Sequence, residues 1–367
     1  VEDLYKDARY ELGRRISRSG TAQRFYVFNP SSWTRTDLAD VPLGPFTRKA
    51  RAVDVTTGLD VPSQIIRQGA NTVLRILATN IPSAGYKVFE IRTGMDLVNP
   101  PAATVNGATA ENEFYRLTLA PDGAITSFID KARGNRETVR EIEGKVINDL
   151  GGDRSGTVQV ESSGPVSTTL IAVSESPVRH ITRVTLYRGI NRVDISNEIT
   201  ENFGDIKTWN YSFDINSPDM WHEEVGAVIR AKLLANGGHY SPRNARYDWL
   251  TMNHFADISD GATNNFGVTI SNWDNYFMRY GDSAINSLDT TRPQINVLAG
   301  GQTNYSFLGI PDQGGDSYFL QRFALSTHGA FSQTAAMKFS LEHQNPLVAG
   351  MIEGTGTHDR AYPESSF

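Results

Sequence analysis

The sequence of 367 residues contains no cysteine. A disulfide framework, a thiolate zinc site and a cysteine nucleophile are therefore excluded. Long apolar runs are also absent, because no stretch approaches the roughly 18 residues that a membrane-spanning helix needs. The charge is slightly negative, with 35 Lys and Arg against 41 Asp and Glu. This balance argues against binding to nucleic acid or to an anionic membrane by charge alone, so neither partner is expected.

Several catalytic motifs are missing as well. The sequence has neither a GxxxxGK[ST] phosphate-binding loop nor a GxSxG nucleophile elbow. Its seven histidines show no HExxH or other close metal-ligand spacing. A site built from His222, His239 and His254 could assemble only through folding. We therefore assign no metal ligand to this sequence.

The residues that are abundant favour β-structure. The chain has 32 Gly, 14 Tyr and 17 Phe, which is typical of many strands joined by turns. The clearest alternation spans Arg192 to Thr200, where the apolar face holds Val193, Ile195 and Ile199, with Asn197 as its polar member. A half-solvated strand of this kind belongs to an antiparallel sheet. Because no helix–strand alternation is present, we predict an all-β fold rather than a Rossmann or barrel architecture.

Changes in periodicity divide the chain into segments. Residues 1–22 predict a helix from the end of a preceding helical domain, because apolar residues recur every four positions at Leu4, Ala8, Leu12 and Ile16. Residues 23–98 predict a small β-sandwich module, and residues 99–111 a linker rich in Pro, Asn and Gly. Residues 112–367 predict one large β-sandwich. The chain starts at Val1 without a Met or a signal-like segment, so we expect that its true N-terminus is missing.

The densest cluster of functional side chains lies between Trp221 and Arg230. An indole ring, the imidazole of His222, the carboxylate of Glu223 and a guanidinium fall within ten residues. Sugar sites use this mixture, because aromatic faces cover C–H patches and charged groups bond paired hydroxyls. The alternative interpretation is an ordinary strand entry whose charges face solvent.

A second segment of interest runs from Arg246 to Ser259. Its aromatic residues Tyr247, Trp249 and Phe255 share one parity, so they would face one side of a strand, which we expect to be core. The polar residues of the segment, which we expect on the opposite side, form the surface of interest: Asp248, Asn253, His254 and Asp257. The predicted substrate-binding residues are Trp221, His222, Glu223, Arg230 and Asp248.

Six segments carry a resemblance to a known family. They are Phe25 to Arg35, Leu119 to Lys131, Glu223 to Arg230, Trp249 to Ser259, Gly267 to Ser271, and Phe323 to Gly329 followed by Asn345-Pro346-Leu347. Taken in this order, they resemble the C-terminal β-rich half of a glycoside hydrolase family 38 α-mannosidase of the bacterial type. Each motif is moderately specific, and their shared order is much more so.

The resemblance implies a small β-sandwich followed by a large antiparallel supersandwich of the galactose mutarotase type. It also implies retaining hydrolysis of α-mannosides, with a zinc ion and an Asp nucleophile in an N-terminal catalytic domain that this sequence lacks. No catalytic residue and no cofactor is therefore assigned to this chain, which is expected to be inactive alone. The implied partners are that catalytic domain and a mannoside. The resemblance also implies further strands after Phe367, so we expect truncation at the C-terminus as well. Arg230 matches an arginine that points into the family's mannose site.

Two other functions remain open. A non-catalytic carbohydrate-binding module would bind mannosides through Trp221 and Trp249. An aldose epimerase-like protein would need two histidines and a carboxylate that converge on one concave face. The three hypotheses differ in what the chain should do by itself: nothing catalytic, sugar binding, or mutarotation of a free sugar.

Overall fold

The structure is a computed structural model that describes residues 2–18, 20–44, 49–68, 71–95, 99–243, 245–300, 311–353 and 360–366. The chain forms two compact units. Unit 1 comprises residues 1–102, 162–168 and 345–367, and unit 2 comprises residues 103–161 and 169–344. No helix in the described part of the chain is long and apolar enough to cross a bilayer.

Unit 1 begins with the helix α1 (Glu2–Arg15), which is shorter than the predicted helical segment. The strands that follow are β1 (Arg24–Asn29), β2 (Arg35–Leu43), β3 (Ala50–Asp54), β4 (Asp60–Val61), β5 (Ser63–Gln68), β6 (Asn71–Ile81) and β7 (Gly85–Thr93). One sheet contains β1-β7-β3-β4 in that order, and a second contains β2-β6-β5. Their facing side chains form one apolar core that includes Phe25, Leu74 and Phe89.

Unit 2 contains most of the remaining elements. In chain order the strands are β8 (Thr104–Asn106), β9 (Thr109–Glu111), β10 (Tyr115–Leu119), β11 (Ile125–Asp130), β12 (Arg136–Glu137), β13 (Thr157–Ser163), β14 (Ser167–Ser174), β15 (His180–Tyr187), β16 (Val193–Ile199), β17 (Thr208–Ser212), β18 (Pro218–Glu224), β19 (Ala227–Arg230), β20 (Leu250–Thr251), β21 (Phe255–Asp260), β22 (Gly267–Asn272), β23 (Phe277–Tyr280), β24 (Gln294–Leu298) and β25 (Phe319–His328). Short 3-10 turns occupy Lys131–Arg133, Leu234–Asn236 and Pro311–Gly315, and helix α2 (Gln333–Gln344) follows β25.

Two sheets enclose the main core of unit 2. The larger has the order β13-β14-β15-β16-β25-β22-β21-β18-β19, and the smaller has the order β17-β24-β23-β20. Alternate residues of both sheets point into one apolar cluster, for example Ile195, Val268 and Leu325 from the first and Trp209, Met278 and Ile295 from the second. A further sheet, β12-β11-β10-β9-β8, completes the unit. The antiparallel pairing of these strands confirms the predicted all-β class.

The structure differs from the predicted domain boundaries in two places. The predicted linker 99–111 contains the hairpin β8–β9, which closes because Gly107 adopts a positive φ of 60°. The end of the chain, predicted to belong to the large sandwich, returns to unit 1. There β26 (Val348–Met351) pairs with β1, and β27 (Glu364–Ser366) pairs with β7.

Two local predictions were also wrong or incomplete. Residues 246–259 do not form one strand, because residues 252–254 separate β20 from β21. Tyr247 and Phe255 are nevertheless buried, and Trp249 is half-buried. Helix α2 was not predicted, since the residues it buries are Ala336, Ser340 and His343, which leave no apolar stripe to detect.

Candidate functional site

The hairpin formed by β18 and β19 carries four of the five predicted site residues. Trp221 lies opposite Arg230, and His222 lies opposite Ile229. Because side chains alternate along a strand, Trp221 and Glu223 point to one face of the sheet and His222 to the other. His222 is on the side of the fully buried Met220, which belongs to the core. The outer face therefore receives Trp221, Glu223 and Arg230, and His222 is directed away from them.

Arg230 is held by a carboxylate and by an aromatic ring. Its Nε donates to Oδ1 of Asp219 at 2.9 Å, and its guanidinium carbon lies 5.5 Å from the centroid of the Trp221 ring. Asp219 also pairs with Lys232 at 2.7 Å and accepts a hydrogen bond from Trp221 Nε1 at 3.1 Å. Burial opposes ionisation of Asp219, but hydrogen bonds and charge from Arg230 and Lys232 outweigh it and lower the pKa of the carboxyl. The cluster is thus a carboxylate shared by two cations beside an indole.

Sequence reasoning missed Asp219, although a signal existed. Asp219 stands two residues before Trp221, and the period-two rule places both on one face of β18. Lys232 lies two residues beyond Arg230 in the same way. Strand parity alone would therefore have predicted the cluster if the segment from Trp221 to Arg230 had been extended by two residues at each end.

The ring of Trp221 already has an aromatic neighbour. It stacks on Phe331 with a centroid distance of 4.8 Å and an interplanar angle of 23°, and His239 approaches its edge at 6.2 Å. With Arg230 also beside the ring, protein groups occupy much of its surface. A sugar platform at Trp221 stays a prediction.

Glu223 ties the hairpin to the segment that precedes β21. Its carboxylate accepts a hydrogen bond from the backbone of Gly226 at 2.6 Å and from Nδ1 of His254 at 2.7 Å. The backbone nitrogen of His254 also donates to it at 3.2 Å. The carboxylate is completely buried and its contacts fix the hairpin turn, which is a structural task. That Glu223 also binds a substrate stays a prediction.

His222 is a neutral core residue. Its Nδ1 lies 2.7 Å from the carbonyl oxygen of Thr251, so this nitrogen must carry the proton, and Nε2 accepts from the hydroxyl of Tyr240 at 2.8 Å. Burial lowers the pKa of His222 to about 4. The imidazole therefore stays uncharged at neutral pH and acts as a hydrogen-bonding link between β18, residue 251 and residue 240.

Asp248 is engaged elsewhere. Both of its carboxylate oxygens accept from the guanidinium of Arg246, at 3.0 and 2.6 Å. This hydrogen-bonded pairing lowers the pKa of Asp248. The predicted residues thus fall into three groups: Trp221 with Arg230, Glu223 with His254, and Asp248 with Arg246, whereas His222 faces the core.

A second polar centre lies on the same face of the large sheet and is built around Asp257, which belongs to the polar set predicted between Arg246 and Ser259. Asp257 is opposite Trp221, and its fully buried carboxylate accepts from Ser259, Thr269 and His328 at 2.6, 2.6 and 2.7 Å. Nδ1 of His328 lies 3.0 Å from the carbonyl oxygen of Gly329. Burial of His328 opposes its charge, but Asp257 outweighs it and raises the pKa of the imidazole.

His328 borders a small cavity beneath α2. The cavity has a volume of about 100 Å³, and its lining includes Thr269, Ser326 and Phe339. Within the described ranges, no group of three His, Asp or Glu side chains is arranged to hold a metal ion. The described residues of the outer face provide fixed charges and hydrogen-bonding groups, such as Arg230, Asp219 and Asp257.

Neither a protein-family model nor a curated protein matches the chain. Among solved structures, an α-mannosidase from Enterococcus faecalis V583 is similar over 100% of this chain and 50% of its own, with 14% identity and a TM-score of 0.71. A glycosyl hydrolase family 38 protein from Enterococcus faecalis is similar over 100% of this chain and 52% of its own, with 15% identity and a TM-score of 0.70. A galactose mutarotase-like protein from Lactobacillus casei ATCC 334 covers 61% of this chain at 12% identity and a TM-score of 0.36.

The chain therefore has the fold of a part of the two Enterococcus faecalis proteins. It spans about half the length of the two Enterococcus faecalis chains that it matches. At the level of the fold, this likeness confirms the resemblance that the sequence motifs predicted.

Proposed function

We propose that this chain is the C-terminal β-rich part of a retaining α-mannosidase of glycoside hydrolase family 38. One observation carries the proposal: the whole chain superposes on half of an α-mannosidase chain with a TM-score of 0.71. The sequence motifs, which were read independently of the fold, support the same family. The role proposed for the chain is to support and complete an active site whose zinc ion and carboxylate nucleophile belong to an N-terminal catalytic domain.

The outer face of β18 and β19 is the proposed contribution to that active site. Arg230 keeps 32% of its side chain exposed while Asp219 and Trp221 fix its orientation. A positioned guanidinium can donate to a mannose hydroxyl without losing further side-chain freedom on binding. The proposed partners are accordingly the catalytic domain and a mannoside substrate.

The geometry of β18 speaks against an epimerase function for its own His and Glu. Such a reaction needs its acid and base on one ligand, within hydrogen-bond reach. His222 and Glu223 are adjacent on the strand and therefore point to opposite faces. This pair cannot act on one sugar.

The chain by itself tests the proposed division of labour. Incubated with 4-nitrophenyl α-D-mannoside and zinc, the 367-residue chain should release no nitrophenol. The longer polypeptide with its N-terminal domain should hydrolyse the same substrate. Turnover by the short chain would place the catalytic groups within it and overturn the proposal.

A further inference from the structure

The outer face of the small sheet of unit 2 has two buried polar atoms that lack partners. Nε of Arg279 and Oδ1 of Asn296 make no hydrogen bond to any residue that the structure describes. Arg279 on β23 and Asn296 on β24 are direct cross-strand partners. Their neighbours Met278 and Tyr280 are fully buried in the core, so Arg279 and Asn296 share the opposite, outer face. One unpaired donor and one unpaired acceptor therefore lie side by side.

The side-chain amide of Asn296 has a fixed orientation because its nitrogen has a hydrogen-bond partner. Nδ2 of Asn296 donates to the carbonyl oxygen of Gly281 at 2.8 Å, so Oδ1 is the atom left over. Asn296 is only 3% exposed. A buried acceptor without a donor is costly, and the same is true of a buried N–H without an acceptor. The pair thus calls for a ligand that can both donate and accept hydrogen bonds.

Aromatic residues lie near Arg279. The guanidinium carbon of Arg279 lies 5.5 Å from the centroid of the Trp249 ring. Trp249 directly precedes β20, which is the strand at one end of this sheet. Phe277 precedes Arg279 by two positions on the same face and is 48% exposed, and its neighbour Tyr276 is 54% exposed. Exposed aromatic rings beside amide and guanidinium groups are the combination that covers the C–H face of a sugar ring and bonds its hydroxyls.

From this arrangement we infer that the Trp249–Phe277–Arg279–Asn296 surface is a binding site for a neutral saccharide. One hydroxyl donates its proton to Oδ1 of Asn296, and a neighbouring hydroxyl accepts from Arg279. Both atoms are buried in the free chain, so binding requires the Arg279 side chain to rotate away from Trp249, a motion that is fast at a protein surface. A carboxylate or a sulfate ion fits less well, because neither has a proton at neutral pH that it can donate to the Asn296 oxygen.

This inference does not depend on the proposed hydrolytic role. Arg230 lies on the large sheet and Arg279 on the small sheet, so the two sites can be tested with different variants. Loss of hydrolysis in an Arg230 variant would not contradict the inferred site at Arg279. Absence of sugar binding at Arg279 would not contradict the proposed function.

Titration of the 367-residue chain with methyl α-D-mannopyranoside, followed by saturation-transfer NMR, tests the site. We expect a dissociation constant of about 1 mM, as is usual for a ligand of this size. Arg279→Met keeps the aliphatic part of the side chain but removes Nε–H, and Phe277→Ala removes an exposed ring. Each substitution should weaken binding of the mannoside about fivefold or more. Tyr318→Ala removes a ring that is 58% exposed elsewhere in unit 2 and should leave binding unchanged.

Three outcomes would overturn the inference. The first is no saturation transfer to the mannoside. The second is binding that Arg279→Met and Phe277→Ala leave at the wild-type strength. The third is displacement of the sugar by sulfate, an anion without a proton, which would show that Arg279 binds anions and that the Asn296 oxygen takes no part.

Discussion

Nε2 of His328 lies 2.7 Å from Oδ2 of the fully buried Asp257, on the outer face of the large sheet. The second ring nitrogen faces the carbonyl oxygen of Gly329 at 3.0 Å, and a carbonyl can only accept. Since Asp257 also receives the hydroxyls of Ser259 and Thr269, it is a carboxylate with three donors. His328 is thus placed as an imidazolium that donates from both nitrogens.

The raised pKa of His328 predicts a loss of stability on the alkaline side. Its stabilisation is complete below the unfolded-state pKa of 6.5 and disappears as the pH rises through the higher folded-state pKa. As the pH rises above 6.5, urea denaturation midpoints should therefore fall more steeply for the wild type than for His328→Gln. Parallel curves for the two proteins would contradict the ionic description of this pair. At pH 6, Asp257→Asn should lower the free energy of unfolding by about 2 kcal/mol.

His222 predicts the opposite pH dependence. Burial lowers its pKa to about 4, so its contribution is complete above pH 6.5 and is lost as the pH falls towards 4. The full loss is roughly 3 kcal/mol, from 1.36 kcal/mol per unit of pKa. Acid denaturation should be shallower for His222→Gln than for the wild type between pH 6.5 and 4. Equal slopes would show that His222 is already charged in the folded chain.

The tip of the β18–β19 hairpin has an unfavourable residue. Val225 adopts a positive φ of 40° although it is β-branched and 83% exposed, and Gly226 follows with a φ of 86°. Two-residue hairpin turns with positive φ at both positions favour Asn-Gly. Val225→Asn should therefore raise the free energy of unfolding by about 1 kcal/mol. Val225→Ala keeps a Cβ at the same φ and should gain little, so an equal gain in both variants would count against backbone strain as the cause.

Local periodicity was enough to predict individual strands. The predicted strand 192–200 corresponds to β16 (Val193–Ile199), with Val193, Ile195 and Ile199 buried. Its polar member Asn197 is also buried, and it exchanges hydrogen bonds with Asn148 at 2.7 and 3.1 Å. The sequence could predict that an Asn faces the core, but its partner lies 49 residues earlier and no local pattern connects them.

The candidate site was only partly predictable for the same reason. Trp221 and Arg230 meet because a two-residue turn places them opposite each other, and this follows from short-range rules. The partners of Glu223 and Asp257, which are His254 and His328, lie 31 and 71 residues away. The return of β26 to β1 spans most of the chain. Pairings at such separations depend on the topology of the whole sheet, which periodicity does not specify.

The most direct test of the proposed function compares two arginines in the longer polypeptide that includes the N-terminal domain. Arg230 and Arg322 are similar: each pairs with an Asp, each lies beside a Trp ring, and their side chains are 32% and 34% exposed. With 4-nitrophenyl α-D-mannoside, Arg230→Ala should lower kcat/KM about tenfold or more, whereas Arg322→Ala should leave it near the wild-type value. If both variants keep wild-type kcat/KM, or lose it equally, Arg230 is a structural residue and this face of the chain does not complete the mannosidase site.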